Sequence, residues 1–300
     1  MVLKGWEIMA APADRETVSP ARRRLLRAGG ALALTAGWTP GGLRGLRSQP
    51  SRAEARRVIE ERDTQFGRIA VVETGRRRYL AYGNHVVYQS VVDLDRPHEL
   101  AAPYTRLMML GVLYAQPYTR MVHIGVGAGN MTGYAIRTFP SAVVHAVDID
   151  RDVVDLAARH FGLAPHPRLH LYIDDGRRWL ANTAETFDVA MLDAYDDKSI
   201  PPALMETAFF RIVASRLAPT GVAMQNAYMP IVNTTRLLAA MRSAFAQVDV
   251  YKAGDSAVLA AYQGTARSLR DLESRARELD RELRPAHSLA ALLKHRAAAL

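Results

Sequence analysis

Four short stretches of the chain end on residue types able to do chemistry, and they follow one another at regular spacing. The first is His123-Ile124-Gly125-Val126-Gly127-Ala128-Gly129-Asn130, where an apolar run stops and a helical pattern begins. Glycines at such a junction let the backbone approach a nucleotide-like ligand at a helix amino end, although a plain tight strand-to-helix turn uses the same residues. The second, Ala146-Val147-Asp148-Ile149-Asp150, puts Asp148 19 residues after Gly129, where a carboxylate can accept both hydroxyls of a ribose. Helix capping suits Asp150 better than Asp148, because Arg151-Asp152-Val153-Val154 starts a helical run. The third stretch is Tyr172-Ile173-Asp174-Asp175-Gly176, and the fourth is Met191-Leu192-Asp193-Ala194-Tyr195-Asp196-Asp197. Capping accounts for one or two of these aspartates. It does not readily account for all of them.

Such residues share a site only if the elements carrying them end on one rim. From Arg120 onward, β-rich runs at 121–125, 142–149, 169–173, 187–192, 221–226 and 248–251 alternate with longer helical stretches, and 257–262 closes the series. Apolar runs alternating with helices predict crossover units and a doubly wound, mostly parallel seven-stranded sheet. In an open α/β sheet the carboxyl ends of the strands form the ligand edge, which is where all four stretches stop. Before them, the runs 68–73, 78–82 and 86–92, separated by Thr74-Gly75 and Gly83-Asn84, predict a small antiparallel sheet. The organisation expected is a leader over 1–57, a β-hairpin domain over 58–112, a Rossmann domain over 113–265 and a charged helical tail over 266–300, its helix at 266–284.

Charge narrows the classes of partner. The chain carries a formal net charge of +9, yet residues 1–57 hold eleven Lys or Arg against four acids, which leaves the remaining 243 residues nearly neutral. Residues 148–206 hold twelve acids and six bases, and an acidic cleft attracts cations and repels phosphate. No nucleic acid is therefore expected on the folded body. With no cysteine, a disulfide scaffold, a thiolate metal site and a thiol nucleophile are excluded. No His or acid cluster has ligand spacing, so no metal is expected, and no apolar run reaches the roughly 18 residues of a membrane span. Arg22-Arg23-Arg24-Leu25-Leu26-Arg27 ahead of a short apolar stretch resembles a twin-arginine export signal, with a disordered basic extension as the other reading.

Taken together, Gln89-Ser90, Gly125-Val126-Gly127-Ala128-Gly129, Val147-Asp148-Ile149-Asp150, Asp175-Gly176-Arg177, Asp193-Ala194-Tyr195 and Ile200-Pro201 resemble the polyamine aminopropyltransferases, the spermidine synthase family, over about 66–262. The resemblance implies a methyltransferase-type Rossmann fold behind a small β-domain. It also implies transfer of an aminopropyl group from decarboxylated S-adenosylmethionine, the co-substrate, to a small cationic amine such as putrescine, with release of methylthioadenosine. Residue by residue it makes Asp193 the catalytic base and Asp196 the amine anchor, with Tyr195 beside them. Gln89 then contacts the donor, Asp148 its ribose and Asp175 its adenine amine, while Gly125, Gly127, Gly129 and Gly176 shape the donor cradle. The family further implies a homodimer or homotetramer, and donor synthesis in the cytosol implies a cytoplasmic protein; the leader reads instead as export to the periplasm.

Three positions depart from the family pattern. Ala128 stands where the family has an acid that holds the donor's amino end, so discrimination between decarboxylated and ordinary S-adenosylmethionine is expected to weaken. Phe209-Phe210 replaces an amine-contacting tyrosine, although Leu204, Phe209, Ile212 and Leu217 lie near helical spacing and suit a core. Phe66-Gly67 replaces a Tyr-Gln pair near the entrance. An S-adenosylmethionine-dependent methyltransferase and a non-catalytic nucleoside-binding homologue are the alternatives, the first because Ala128 leaves space for the ordinary donor's carboxylate.

Overall fold

The computed structural model describes Trp6 and residues 55–83, 87–298 and 300. Apart from Trp6 and residues 55–57, the stretch expected to be a leader, with its arginine cluster, lies outside the described residues. The chain first builds an antiparallel sheet from β1 (Arg56–Thr64), β2 (Gly67–Thr74), β3 (Arg77–Tyr82) and β4 (Val87–Asp93), in that spatial order. β1 begins inside the stretch expected to be leader. Its sequence, Arg56-Arg57-Val58-Ile59-Glu60-Glu61-Arg62-Asp63-Thr64, is mostly charged and lacks an apolar–polar alternation, which conceals it. The strand is held by ion pairs: Arg62 reaches Asp152 at 2.7 Å and Asp155 at 2.6 Å, and Glu60 meets His160 at 2.7 Å.

Two short helices, α1 (Pro103–Met108) and α2 (Gly111–Tyr114), lead into the second sheet. The hairpin-domain stretch includes α1, yet Leu107 and Met108 are fully buried in the core of the larger sheet. There β5 (Arg120–Ile124), α3 (Asn130–Thr138), β6 (Val143–Asp148), α4 (Arg151–His160), β7 (Leu169–Ile173), α5 (Gly176–Asn182), β8 (Phe187–Leu192), α6 (Thr207–Ser215) and β9 (Leu217–Tyr228) alternate as the periodicity requires. The chain continues through α7 (Thr234–Arg242), β10 (Gln247–Ala253), β11 (Ser256–Tyr262), α8 (Leu269–Leu283), α9 (Leu289–Leu292) and β12 (Arg296–Ala297).

The strand order is β12-β10-β11-β9-β8-β5-β6-β7, parallel from β9 through β7 and antiparallel at β11, β10 and β12. This is the expected Rossmann sheet with one strand more than the seven anticipated, because the carboxyl-terminal segment returns to add two residues at the edge. One apolar cluster packs α1, α2, α3 and α8 on one face, and a second packs α5, α6 and α7 on the other. A third joins the two sheets: Ile69, Val71, Leu80 and Val92 meet Ala128, Val153, Leu156 and Phe161. The strand order reverses between β5 and β8, the place where an open parallel sheet leaves a crevice.

Candidate active site

The loop from β5 to α3 is shaped by left-handed glycines, with φ of 89° at Gly125, 54° at Gly127 and 75° at Gly129. A side chain on Gly125 would collide with the carbonyl of Asp193, so glycine there brings the loops after β5 and β8 into contact. Asp148, at the end of β6, is buried and holds that loop from below. Its Oδ2 accepts from the amides of Val126 at 2.8 Å and Gly127 at 3.2 Å, and its Oδ1 accepts from Asp150 at 2.9 Å. Burial nevertheless pushes its carboxyl up to about 6, against the pull of those amides. Asp150 caps α4, accepting from Asp152 at 2.9 Å.

After β7 the two neighbouring aspartates separate in role. Asp174 is buried and paired with Arg178. Asp175 caps α5 by accepting from the amide of Arg178 at 2.9 Å and also lines the central cavity. Gly176 must be glycine because a side chain would strike Ile124.

Asp193 directly follows β8, is partly buried and lines the cavity. Its Oδ2 accepts from the Tyr104 hydroxyl at 3.0 Å and its Oδ1 from Asn226 Nδ2 at 2.8 Å. Burial drives its carboxyl up to about 7, with the two hydrogen bonds pulling the other way. The same burial, together with the charge of Asp193, raises Tyr104 far above an ordinary phenol, so its hydroxyl stays a donor. Tyr195 donates to the carbonyl of Asn226 at 3.2 Å and accepts from the amide of Tyr228 at 2.9 Å. Asp196 is placed differently from expectation: its carboxylate accepts from the amides of Lys198 and Ser199, both at 2.8 Å, and it does not line the cavity. Asp197 and Lys198 do. The backbone carbonyl of Asp196 receives the Gln89 side chain at 3.2 Å.

These residues enclose a cavity of about 660 Å³. Of the expected site residues, Gln89, Gly125, Gly127, Asp148, Asp175, Gly176, Asp193 and Tyr195 line it together. Gly129 does not; it starts α3, where a side chain would press on Leu163. Ala128 is fully buried in the apolar cluster between the sheets and does not line the cavity, so it opens no space for a donor carboxylate. Phe209 and Phe210 are core, their rings 5.4 Å apart, and Phe66 is an exposed residue of the β1–β2 turn away from the cavity. Among the described residues no group of three or more His, Asp or Glu could hold a metal ion, and no helix is long and apolar enough to cross a membrane.

Sequence reading missed Tyr104 and Asn226, the two side chains that hold Asp193. Tyr104 lies in a six-residue helix too short for a periodicity signal. Asn226 had a readable sign: Gln225-Asn226 is a polar pair closing an apolar strand, so the rule applied to the first four parallel strands reaches the fifth as well.

A doubly wound sheet with a glycine loop, a carboxylate after each of β6, β7 and β8 and one cavity at the strand reversal defines a Rossmann-type protein with a nucleoside-sized site. More narrowly, the chain belongs to the spermine/spermidine synthase domain family, whose model matches residues 102–254. It is similar to a polyamine aminopropyltransferase of Neisseria meningitidis, 29% identical over 163 residues, 54% of this chain and 62% of that one. The chain thus spans less than two thirds of that relative. Among solved structures it resembles a probable spermidine synthase from Corynebacterium glutamicum, at 22% identity and TM-score 0.61, covering 75% of this chain and 86% of that one. It also resembles human methyltransferase-like protein 13 in complex with SAH, at 23% identity and TM-score 0.57, covering 62% and 95%. At these identities the two structural likenesses concern the fold.

Proposed function

We propose that the protein is an aminopropyltransferase that moves the aminopropyl group of decarboxylated S-adenosylmethionine to a small amine and releases methylthioadenosine. The observation that carries this reading is Asp193: a carboxyl raised to about 7, held by Tyr104 and Asn226 and opening on the cavity. Asp148 would accept the donor's ribose hydroxyls, Asp175 its adenine amine, and Gln89 would contact its chain. An alkylammonium near pKa 10 is no nucleophile until it loses a proton. Asp193 takes that proton, and the freed nitrogen lone pair attacks the methylene carbon next to the sulfonium. The carbon–sulfur bond breaks, and its electron pair neutralises the sulfur in the leaving thioether.

With the amine at its ordinary value and Asp193 at about 7, the proton transfer is uphill by about three pH units, roughly 4 kcal/mol. Desolvation lowers an ammonium as it raises a carboxyl, so the cavity that lifts Asp193 also narrows this gap. The reading carries with it a cytoplasmic setting, where the donor is made, and a homodimer or homotetramer, which light scattering tests. To test the reaction, the purified chain is incubated with an amine panel and either decarboxylated or ordinary S-adenosylmethionine. Methylthioadenosine from the decarboxylated donor is expected. S-adenosylhomocysteine from the ordinary donor, without methylthioadenosine, would overturn the proposal in favour of methyl transfer.

A further inference from the structure

The acceptor half of the cavity has a polar floor and an apolar mouth. On the floor, Asn226 Nδ2 donates to Asp193 Oδ1, which fixes the orientation of the amide and leaves Asn226 Oδ1 without a partner in a side chain only 4% exposed. An unmatched acceptor buried beside a raised carboxyl suits a nitrogen bearing several hydrogens. Both residues line the cavity, so an ammonium set between them can offer one N–H to each; once Asp193 has taken its proton, rotation about the carbon–nitrogen bond turns the freed lone pair to the donor.

The mouth has a different character. Tyr88, Tyr228 and Ile231 line the cavity and are 47%, 40% and 43% exposed, three of the few large apolar side chains exposed among the described residues. Hydrogen bonds tie two of them to the Asp193 loop: the amide of Tyr228 donates to the Tyr195 hydroxyl at 2.9 Å, and the Ser199 hydroxyl donates to the carbonyl of Ile231 at 3.2 Å. Next to Tyr88, Gln89 reaches the carbonyl of Asp196 at 3.2 Å. The carboxylate of Asp196 is taken up by two backbone amides. That leaves Asp197 as the carboxylate of this wall, and Lys198 lines the cavity directly after it. A second ammonium would meet both charges at once. An apolar chain would cover three side chains otherwise left in water.

We propose that the acceptor is a primary monoamine with an apolar body, an alkylamine of about six carbons or an arylalkylamine, bound with its nitrogen between Asp193 and Asn226 and its body against Tyr88, Tyr228 and Ile231. The inference rests on the aminopropyl-transfer reading and narrows its substrate.

Each buried methylene contributes about a fourfold gain in binding, so two should exceed tenfold. The test measures methylthioadenosine release by the full chain from decarboxylated S-adenosylmethionine with butylamine, hexylamine, 2-phenylethylamine and putrescine. Butylamine, which matches putrescine in length, is expected to surpass it at least tenfold in kcat/KM, with hexylamine a further tenfold above. Equal or better use of putrescine, or no gain with chain length, would overturn the proposal. Ile231→Asp is expected to shift the hexylamine-to-putrescine ratio at least tenfold toward putrescine, and Ile231→Leu to keep it; an unmoved ratio in Ile231→Asp counts against the proposal. If no amine releases methylthioadenosine, the aminopropyl reading itself fails. Calorimetry on the protein loaded with methylthioadenosine then still decides the acceptor class, tighter hexylamine supporting it and equal or tighter putrescine overturning it.

Discussion

Asp193 concentrates the cost and the use of this site in one side chain. Burial raises its carboxyl to about 7 from an ordinary value of 3.8. The folded protein therefore prefers the protonated form more strongly than the unfolded chain does. That preference is harmless below pH 4 and becomes a penalty as pH rises through about 7, at roughly 1.4 kcal/mol per pH unit between the two values. Asp193→Asn keeps an acceptor for Asn226 and removes the charge. It should raise stability by a few kcal/mol at pH 8 and leave it almost unchanged at pH 4, as thermal melts at the two pH values will read. The same change should cut turnover by about a hundredfold or more with donor binding nearly intact, measured by kcat and by calorimetry. In the wild type, the rate should climb with pH through about 7 as Asp193, the proposed base, loses its proton. Tyr104→Phe removes a hydrogen bond that favours the carboxylate, so this limb should move up by about one pH unit.

At the scale of elements, the loops after the parallel strands act by touching one another. Gly125→Ala would drive a methyl into the carbonyl of Asp193 and strain a backbone at φ 89°, separating the glycine loop from the loop of the proposed base. A loss of about 2 kcal/mol or more in stability and a sharply weakened donor affinity are expected, read by denaturant titration and calorimetry. Ala128→Asp, which restores the acid of the family pattern, would bury a carboxylate among Ile69, Val71 and Leu80. It should destabilise the fold by about 3 kcal/mol or more rather than recruit the donor's amino group, a difference that a chemical denaturation curve will show. Not every element was readable beforehand. β1 carries charged residues whose partners lie on α4, and α1 is one and a half turns long, so neither shows a period.

The cavity belongs to both sheets. Tyr82, Tyr88, Gln89, Ser90 and Val91 come from the small one, and the aspartates come from the large one. The two are joined by the apolar cluster around Ala128 and by Arg62, whose guanidinium bridges to Asp152 and Asp155 on α4. Because Arg62 is partly shielded, Arg62→Ala should cost about 1 to 2 kcal/mol and raise KM for the donor, and added salt should diminish the difference from wild type. Steady-state kinetics at low and high ionic strength will test this. An unchanged KM would mean that the apolar cluster alone sets the relation of the sheets.

The amino-acid order alone determined the alternation of strands and helices, the strand ends that carry Gly125, Asp148, Asp175 and Asp193, and the family likeness, because period and turn chemistry are local and survive without neighbours. Tertiary structure decided which of those ends face a common hollow and what each carboxylate does there. Asp148, Asp174, Asp175, Asp193 and Asp196 are the same residue type near similar strand ends. One holds a loop, one pairs with Arg178, one caps a helix, one is raised toward neutrality, and one is turned into its own backbone. A carboxylate's role follows from desolvation and from the donors around it, and those are supplied by residues distant in the chain, Tyr104 and Asn226 above all.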